Sequence, residues 1–266
     1  MRALLRATGD DHERRGHRLT VLARLPSAAA WSEEWHATEP DNPDAELLHA
    51  GALAHRAGER GSRSPEARAA LEHVAAALPR DPTPWLFLLL LLRQTGTPEE
   101  CRAAFEEVLA RHVEHHHAHH LMVAALAEKG ADVYDFATEA AERAPGDSPL
   151  AFLPLVAHAE RFRAQVAARE VERDPSAGYW RGRQARRITE RAFAWWLEWG
   201  AERGHPRRLV DLNFLAHAKY HEGRFAEAAA LFQRIGEHGT AQPWEYSGTD
   251  PSRAFRAARK ATLGPT

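Results

Sequence analysis

Apolar positions recur at helical spacing along most of the chain, and one arrangement occurs twice. Trp85, Leu88, Leu89, Gly96, Cys101, Phe105 and Val108 are matched interval by interval by Leu212, Leu215, Ala216, Gly223, Ala228, Phe232 and Ile235. Each set reads as an apolar helical stripe, a turn glycine, and a second helix bearing a small residue, a Phe and an aliphatic. Paired helices repeating at roughly 34 residues are the sequence form of stacked helix–turn–helix units. No segment keeps an alternation of period two, so the expected fold class is all-α.

The neighbouring units can be phased from Trp85. Upstream, Leu47, Ala50, Gly51, Ala54 and Gly58 repeat the first-helix pattern, and Ala67, Leu71 and Val74 the second, which Pro79 ends. Downstream, Met122, Val123, Leu126 and Gly130 are in phase, and a displaced second helix from Ala131 to Ala144 closes on Pro145-Gly146. The last unit spans Leu209 to Gln242. Between them, 150–205 is helical without the repeat spacing. One helix opens at Ser148-Pro149-Leu150 and runs to about Arg173, Asp174 to Gly178 break it, and a second runs from near Trp180 to Gly200. A lone repeat cannot bury its apolar face, so the units must share one core. Helices at about 11–36 and 250–262 would cap it, with Trp31, Trp35 and Trp244 over its ends.

These positions resemble the consensus of the tetratricopeptide repeat (TPR) superfamily, most closely over 82–113 and 209–236. The resemblance implies a right-handed α-solenoid of TPR-like repeats, expected as a single domain over 1–266. Its parts would be an N-terminal cap (1–43), three repeats (44–149), an irregular helical pair (150–205), a further repeat (206–242) and a C-terminal capping helix (243–266). Lys129-Gly130, Phe136-Ala137, the run Ala144 to Leu150, and Ala157-His158-Ala159-Glu160 also resemble uncharacterised actinobacterial helical proteins of the same layout. The Trp and Gly-Ser that follow the lysine in those proteins are absent.

In TPR proteins the first helices line a concave groove. Carried over by position, the resemblance puts Ala45, Leu48, Ala52 and His55 there, then Thr83, Leu86, Leu90 and Arg93. His117, His120, Ala124 and Ala127 follow, and finally Val210, Asn213, His217 and Tyr220. The polar members (His55, Arg93, His117, His120, Asn213, His217 and Tyr220) would bind a peptide or partner helix. The Lys- and Asn-based clamp for a peptide C-terminus is not reproduced, since only Arg93 and Asn213 suit it. Segment 150–205 could instead fill the groove.

Composition narrows the chemistry. Hydrophobic content of 44%, charged content of 27% and a net charge of −2 are those of an ordinary globular protein, with no global pull toward nucleic acid or membrane. The single cysteine, Cys101, excludes an internal disulfide and sits in an apolar stripe, as a small core residue would. No secretory h-region opens the chain, and the apolar run Trp85 to Leu92 is too short to span a bilayer, so a cytoplasmic location is expected. Phosphate-binding, dinucleotide-binding and nucleophile-elbow motifs are absent, and no catalytic residue is assigned.

Six of the 17 histidines fall between His112 and His120. On a continuous helix His112, His116 and His120 would form an i, i+4 ladder, the spacing that two-histidine metal binding needs. With His158 and Glu160 as further ligands, this cluster is the alternative site, for zinc or another transition metal. The same histidines also suit hydrogen-bonded packing or a solvated face. From Arg161 to Arg208, twelve arginines stand against six acidic residues, interleaved with Tyr179, Trp180, Trp195, Trp196 and Trp199. Phe193, Trp196, Leu197 and Gly200 fall at core spacing, while Arg186, Arg187 and Arg191 suit a solvated face near Glu190. An arginine-lined pocket for an acidic ligand, or a nucleic-acid surface, stands beside that reading. The sequence favours a non-catalytic peptide- or protein-binding scaffold without cofactor, and leaves open both a homodimer and a metal-dependent enzyme.

Overall fold

The computed structural model describes residues 2–128, 132–169, 178–200 and 204–264. All regular structure among them is helical, in fourteen α-helices and three short 3-10 turns. No helix among the described residues is long and apolar enough to cross a membrane. Two compact units divide the chain, Met1–Ala125 and Leu126–Thr266, where the repeat pattern leads one to expect one solenoid.

The first unit holds α1 (Arg2–Arg6), α2 (His12–Ala23), α3 (Ala28–Thr38), α4 (Pro43–Glu59), α5 (Pro65–Ala77), α6 (Thr83–Thr95) and α7 (Pro98–Leu109). It also holds the start of α8 (His116–Glu128). The starts of α4, α5 and α7 share one device. Asn42, Ser64 and Thr97 each accept a backbone N–H of the following turn, and a proline follows at the first helical position. Proline lacks an N–H where none is needed, so the pair sets both the start and the direction of the helix. Thr97 and Glu100 complete a reciprocal capping box.

The first two expected hairpins form. Helix α4 packs on α5 and α6, α5 also on α6, and α6 on α7. Gly51 is what lets α4 and α6 approach. A Cβ there would stand 2.5 Å from Phe87 Cζ, so the repeat's small-residue position is filled by the neighbouring helix's ring. Phe87, Leu88, Leu89, Leu91 and Leu92 are buried, each side chain contributing about 1.5–3 kcal/mol. Cys101 is buried among them, as its stripe position predicts.

The single helix expected over 11–36 is two. Arg24 to Ser27, with Pro26, interrupts it, because a proline ring clashes with the preceding turn. The break frees α2 to pack on both α4 and α6. Its Gly16 lies against Leu86 and Thr83. Arg15 of α2 bonds Asp81 and Asp44, each at 2.6 Å. The Asp81 carboxylate also accepts the Thr83 N–H at the start of α6.

The second unit holds α9 (Val133–Arg143), α10 (Leu153–Ala167), α11 (Arg183–Trp199), α12 (Arg208–Glu222), α13 (Phe225–Ile235) and α14 (Pro251–Leu263). Short 3-10 turns cover Pro149–Phe152, Tyr179–Arg181 and Trp244–Ser247. The hairpin α12–α13 matches the last expected repeat. Gly223 ends α12 at φ 88°, a left-handed conformation glycine adopts without strain. Helix α14 packs on α13, with Trp244, Phe232 and Phe255 in mutual ring contact. Trp31 and Trp35 are half-buried. Helix α10 ends at Ala167. Of the break expected from Asp174 to Gly178, only Gly178, at φ 117°, is among the described residues, and the Lys129-Gly130 motif lies outside them.

Candidate binding groove

Helix α11 carries two different faces. Ala185, Thr189 and Ala192 are its buried side, packed toward α10 and α12, with Thr189 Oγ1 3.0 Å from the Glu222 carboxylate. This corrects the expected core stripe: Leu197 is 64% exposed, and Phe193 and Trp196 are half-buried. Small residues let α11 lie close to its neighbours, and the large ones are left on its flank. The buried Lys219 of α12 lies against the Phe193 ring and pairs with Glu222 and Glu227.

Another face of α11 repeats every fourth residue: Arg183, Arg187, Arg191, Trp195 and Trp199. Four residues advance a helix by about 6 Å and turn it about 40° past a full turn, so the stripe is an inclined row rising about 24 Å along α11 while it winds around the helix. It forms one wall of a groove of about 880 Å³. The opposite wall comes from Thr138, Ala141 and Glu142 of α9. Both helices rest on the Pro149–Phe152 turn, and Ala151 and Pro154 line the base. Trp195 fixes the α11 wall. Its indole N–H donates to the Gly146 carbonyl at 2.8 Å, and its ring meets Phe152 edge-on.

The three arginines are exposed, and none is paired with a carboxylate among the described residues. The solvated face expected of Arg186, Arg187 and Arg191 is found, all three being exposed. Glu142 and Glu198 also line the groove, so its surface is basic but not uniformly so. The period-four recurrence was present in the sequence. It was hidden because Phe193, Trp196 and Leu197 gave the stronger apolar signal.

The residues expected in a TPR-type groove are elsewhere occupied. Ala45, Leu48, Thr83 and Leu86 are fully buried, in the region where α2 packs on α4 and α6. His55 is half-buried beside Glu59, and burial lowers its pKa. Arg93 and Tyr220 are also half-buried. Asn213 is saturated: its amide donates to the Leu209 and His238 carbonyls, and its oxygen accepts the Trp244 indole N–H at 2.8 Å. His217 is enclosed by Trp180, Trp244 and His221, and burial drives its pKa far down. Trp180 belongs to the 150–205 segment, which thus covers His217 within this unit.

The histidine cluster differs from a continuous ladder. Helix α7 ends at Leu109, and His112 and His115 lie in the turn before α8. His115 Nδ1 accepts the Ala118 N–H, and Glu13 of α2 accepts the His116 N–H, so the α8 start is capped from two sides. Of the expected ladder of three, His116 and His120 share α8, with rings 4.3 Å apart, and His112 does not. His117 is buried on the same helix. His119 packs edge-on to Phe105, and burial lowers its pKa to about 4. His158 and Glu160 belong to the second unit. His158 packs on Tyr134, and burial takes its pKa to about 4. Glu160 accepts hydrogen bonds from Tyr246 and Arg163, one on each oxygen. As a metal ligand it would have to surrender one of these.

A smaller cavity of about 430 Å³ in the first unit is lined by Leu5, Thr8, His12 and Arg15 among others. Its cation is already neutralised by Asp81 and Asp44. Comparison with protein-family models, with curated proteins and with solved structures gives no match.

Proposed function

We propose that this chain is a non-catalytic helical scaffold that binds a peptide or protein partner, with the α9–α11 groove as the binding surface. One observation carries the reading: the groove is solvent-accessible and presents, beside an apolar base, three exposed arginines that pair with no carboxylate among the described residues. A pocket with apolar walls and a few directed polar groups is the usual form of a recognition site. The hairpins α4–α5, α6–α7 and α12–α13 support a TPR-like architecture, and a right-handed solenoid working in the cytoplasm is part of the same proposal. The binding surface in this reading is not the row of first-helix positions, because Leu48, Leu86, Asn213 and His217 are buried.

Selection from a random displayed-peptide library tests it. Wild-type protein should enrich a related set of peptides that fail to bind Ala194→Trp, a variant that fills the groove from an exposed position. Enrichment indifferent to Ala194→Trp would place binding elsewhere, and no enrichment would contradict the function.

A further inference from the structure

The row of charges on α11 also specifies what kind of segment fits, on the reading that the groove binds a partner. We infer that the groove takes an amphipathic acidic helix of a partner protein. Carboxylates on that helix face Arg183, Arg187 and Arg191, and its apolar side lies over Ile188, Ala194 and Trp199.

The first argument is register. Arginines four residues apart on α11 are about 6 Å apart, and acidic residues at every fourth position of a second helix have the same spacing. Two helices crossed so that their inclined i, i+4 rows run alongside each other therefore match charge for charge over the three arginines. The second argument is backbone accounting. The groove is walled by helices, and the main chains of α9 and α11 already bond within themselves. An extended peptide would find no strand edge there for its N–H and C=O groups. A helix brings its own hydrogen bonds satisfied.

The third argument separates a protein from a nucleic acid. Stacking of successive bases requires a run of free aromatic faces, and of the two groove tryptophans Trp195 is held by Gly146 and Phe152, which leaves Trp199 alone. Glu142 and Glu198 would repel a uniformly charged phosphate backbone, whereas a peptide can keep its carboxylates opposite the arginines and neutral residues opposite the glutamates. The three exposed arginines supply the complementary charge without first giving up a carboxylate partner among the described residues.

The test uses a dye-labelled helical peptide of about 16 residues, long enough for the row, with Glu at every fourth position and Leu beside it. Anisotropy titrations should show binding that weakens at least about tenfold from low to high salt. The double variant Arg187→Glu/Arg191→Glu, at exposed positions, should lose at least about tenfold in affinity. The same peptide with Lys for Glu should bind the wild type weakly and recover binding to the double variant. That reciprocal rescue cannot come from misfolding. Equal binding of the Glu and Lys peptides, or an affinity unchanged by the charge reversal, would overturn the inference. So would tighter, arginine-dependent binding of a thymidine oligonucleotide. If library selection instead returns neutral or basic ligands that depend on the groove, the acidic helix is wrong while the binding function stands. If no ligand depends on the groove, both are wrong.

Discussion

Arg15 of the first unit and the three α11 arginines of the second are used in opposite ways. Arg15 in the first unit is 9% exposed and held between Asp81 and Asp44, at 2.6 Å from each. Arg183, Arg187 and Arg191 in the second are exposed and have no carboxylate among the described residues. The difference is between a charge used to close a structure and charges held open. Arg15 fastens α2 across α4 and α6, over first-helix positions that a TPR-type groove would leave accessible. The three α11 arginines make no such bridge among the described residues and border the groove. In this molecule the closed face is accordingly the structural one, and the open row is the place to look for a partner.

Acidification should give the largest effect, and it should act on both units while leaving the arginine row charged. His119 and His158 are each held near pKa 4 by burial. Above pH 6.5 both are neutral, folded or unfolded, and impose no penalty. As pH falls from 6.5 toward 4 the unfolded chain takes up protons that the folded chain refuses, so stability falls. Each histidine should cost about 3 kcal/mol by pH 4. Denaturant unfolding between pH 7.5 and 4 should show that loss, reduced in His158→Phe.

Arg15→Ala comes next. It leaves Asp81 buried without its cation, a change expected to lower stability by about 3–5 kcal/mol. Urea titration reads it, and the same variant should loosen α2, seen as faster amide exchange in α4 and α6. Gly51→Ala should cost about 1–3 kcal/mol, because Phe87 must move to admit the methyl group. Smallest of all, Arg187→Glu/Arg191→Glu should change the unfolding midpoint by no more than about 0.5 kcal/mol equivalent. A large loss there would mean that the row is structural after all, and the contrast with Arg15 would collapse.

The hairpins were legible because their signal is local. Intervals such as Trp85–Leu88–Leu89 followed by Gly96 depend only on the helical period and a turn, and they place α4–α5, α6–α7 and α12–α13. Contacts distant in sequence were not legible in this way. The packing of α2 depends on an arginine meeting an aspartate 66 residues away, which no periodicity encodes. The histidine ladder failed for a related reason: spacing is meaningful only on one helix, and the turn at His112–His115 divides it. For α11 the misreading was of weight. Phe193, Trp196 and Leu197 suggest a core stripe by hydrophobicity, but close helix packing selected Ala185, Thr189 and Ala192. The row from Arg183 to Trp199 was visible as a pattern and became a groove only once α9 stood opposite.

The most direct test of the groove follows the indole N–H signals of the eight tryptophans during titration with the Glu-bearing helical peptide. The signals of Trp195 and Trp199 should shift in a saturable way, while those of buried Trp180 and Trp244 stay in place. Shifts confined to Trp31, Trp35 and Trp85 of the first unit, or no shift at saturating peptide, would contradict the assignment of the α9–α11 groove as the binding surface.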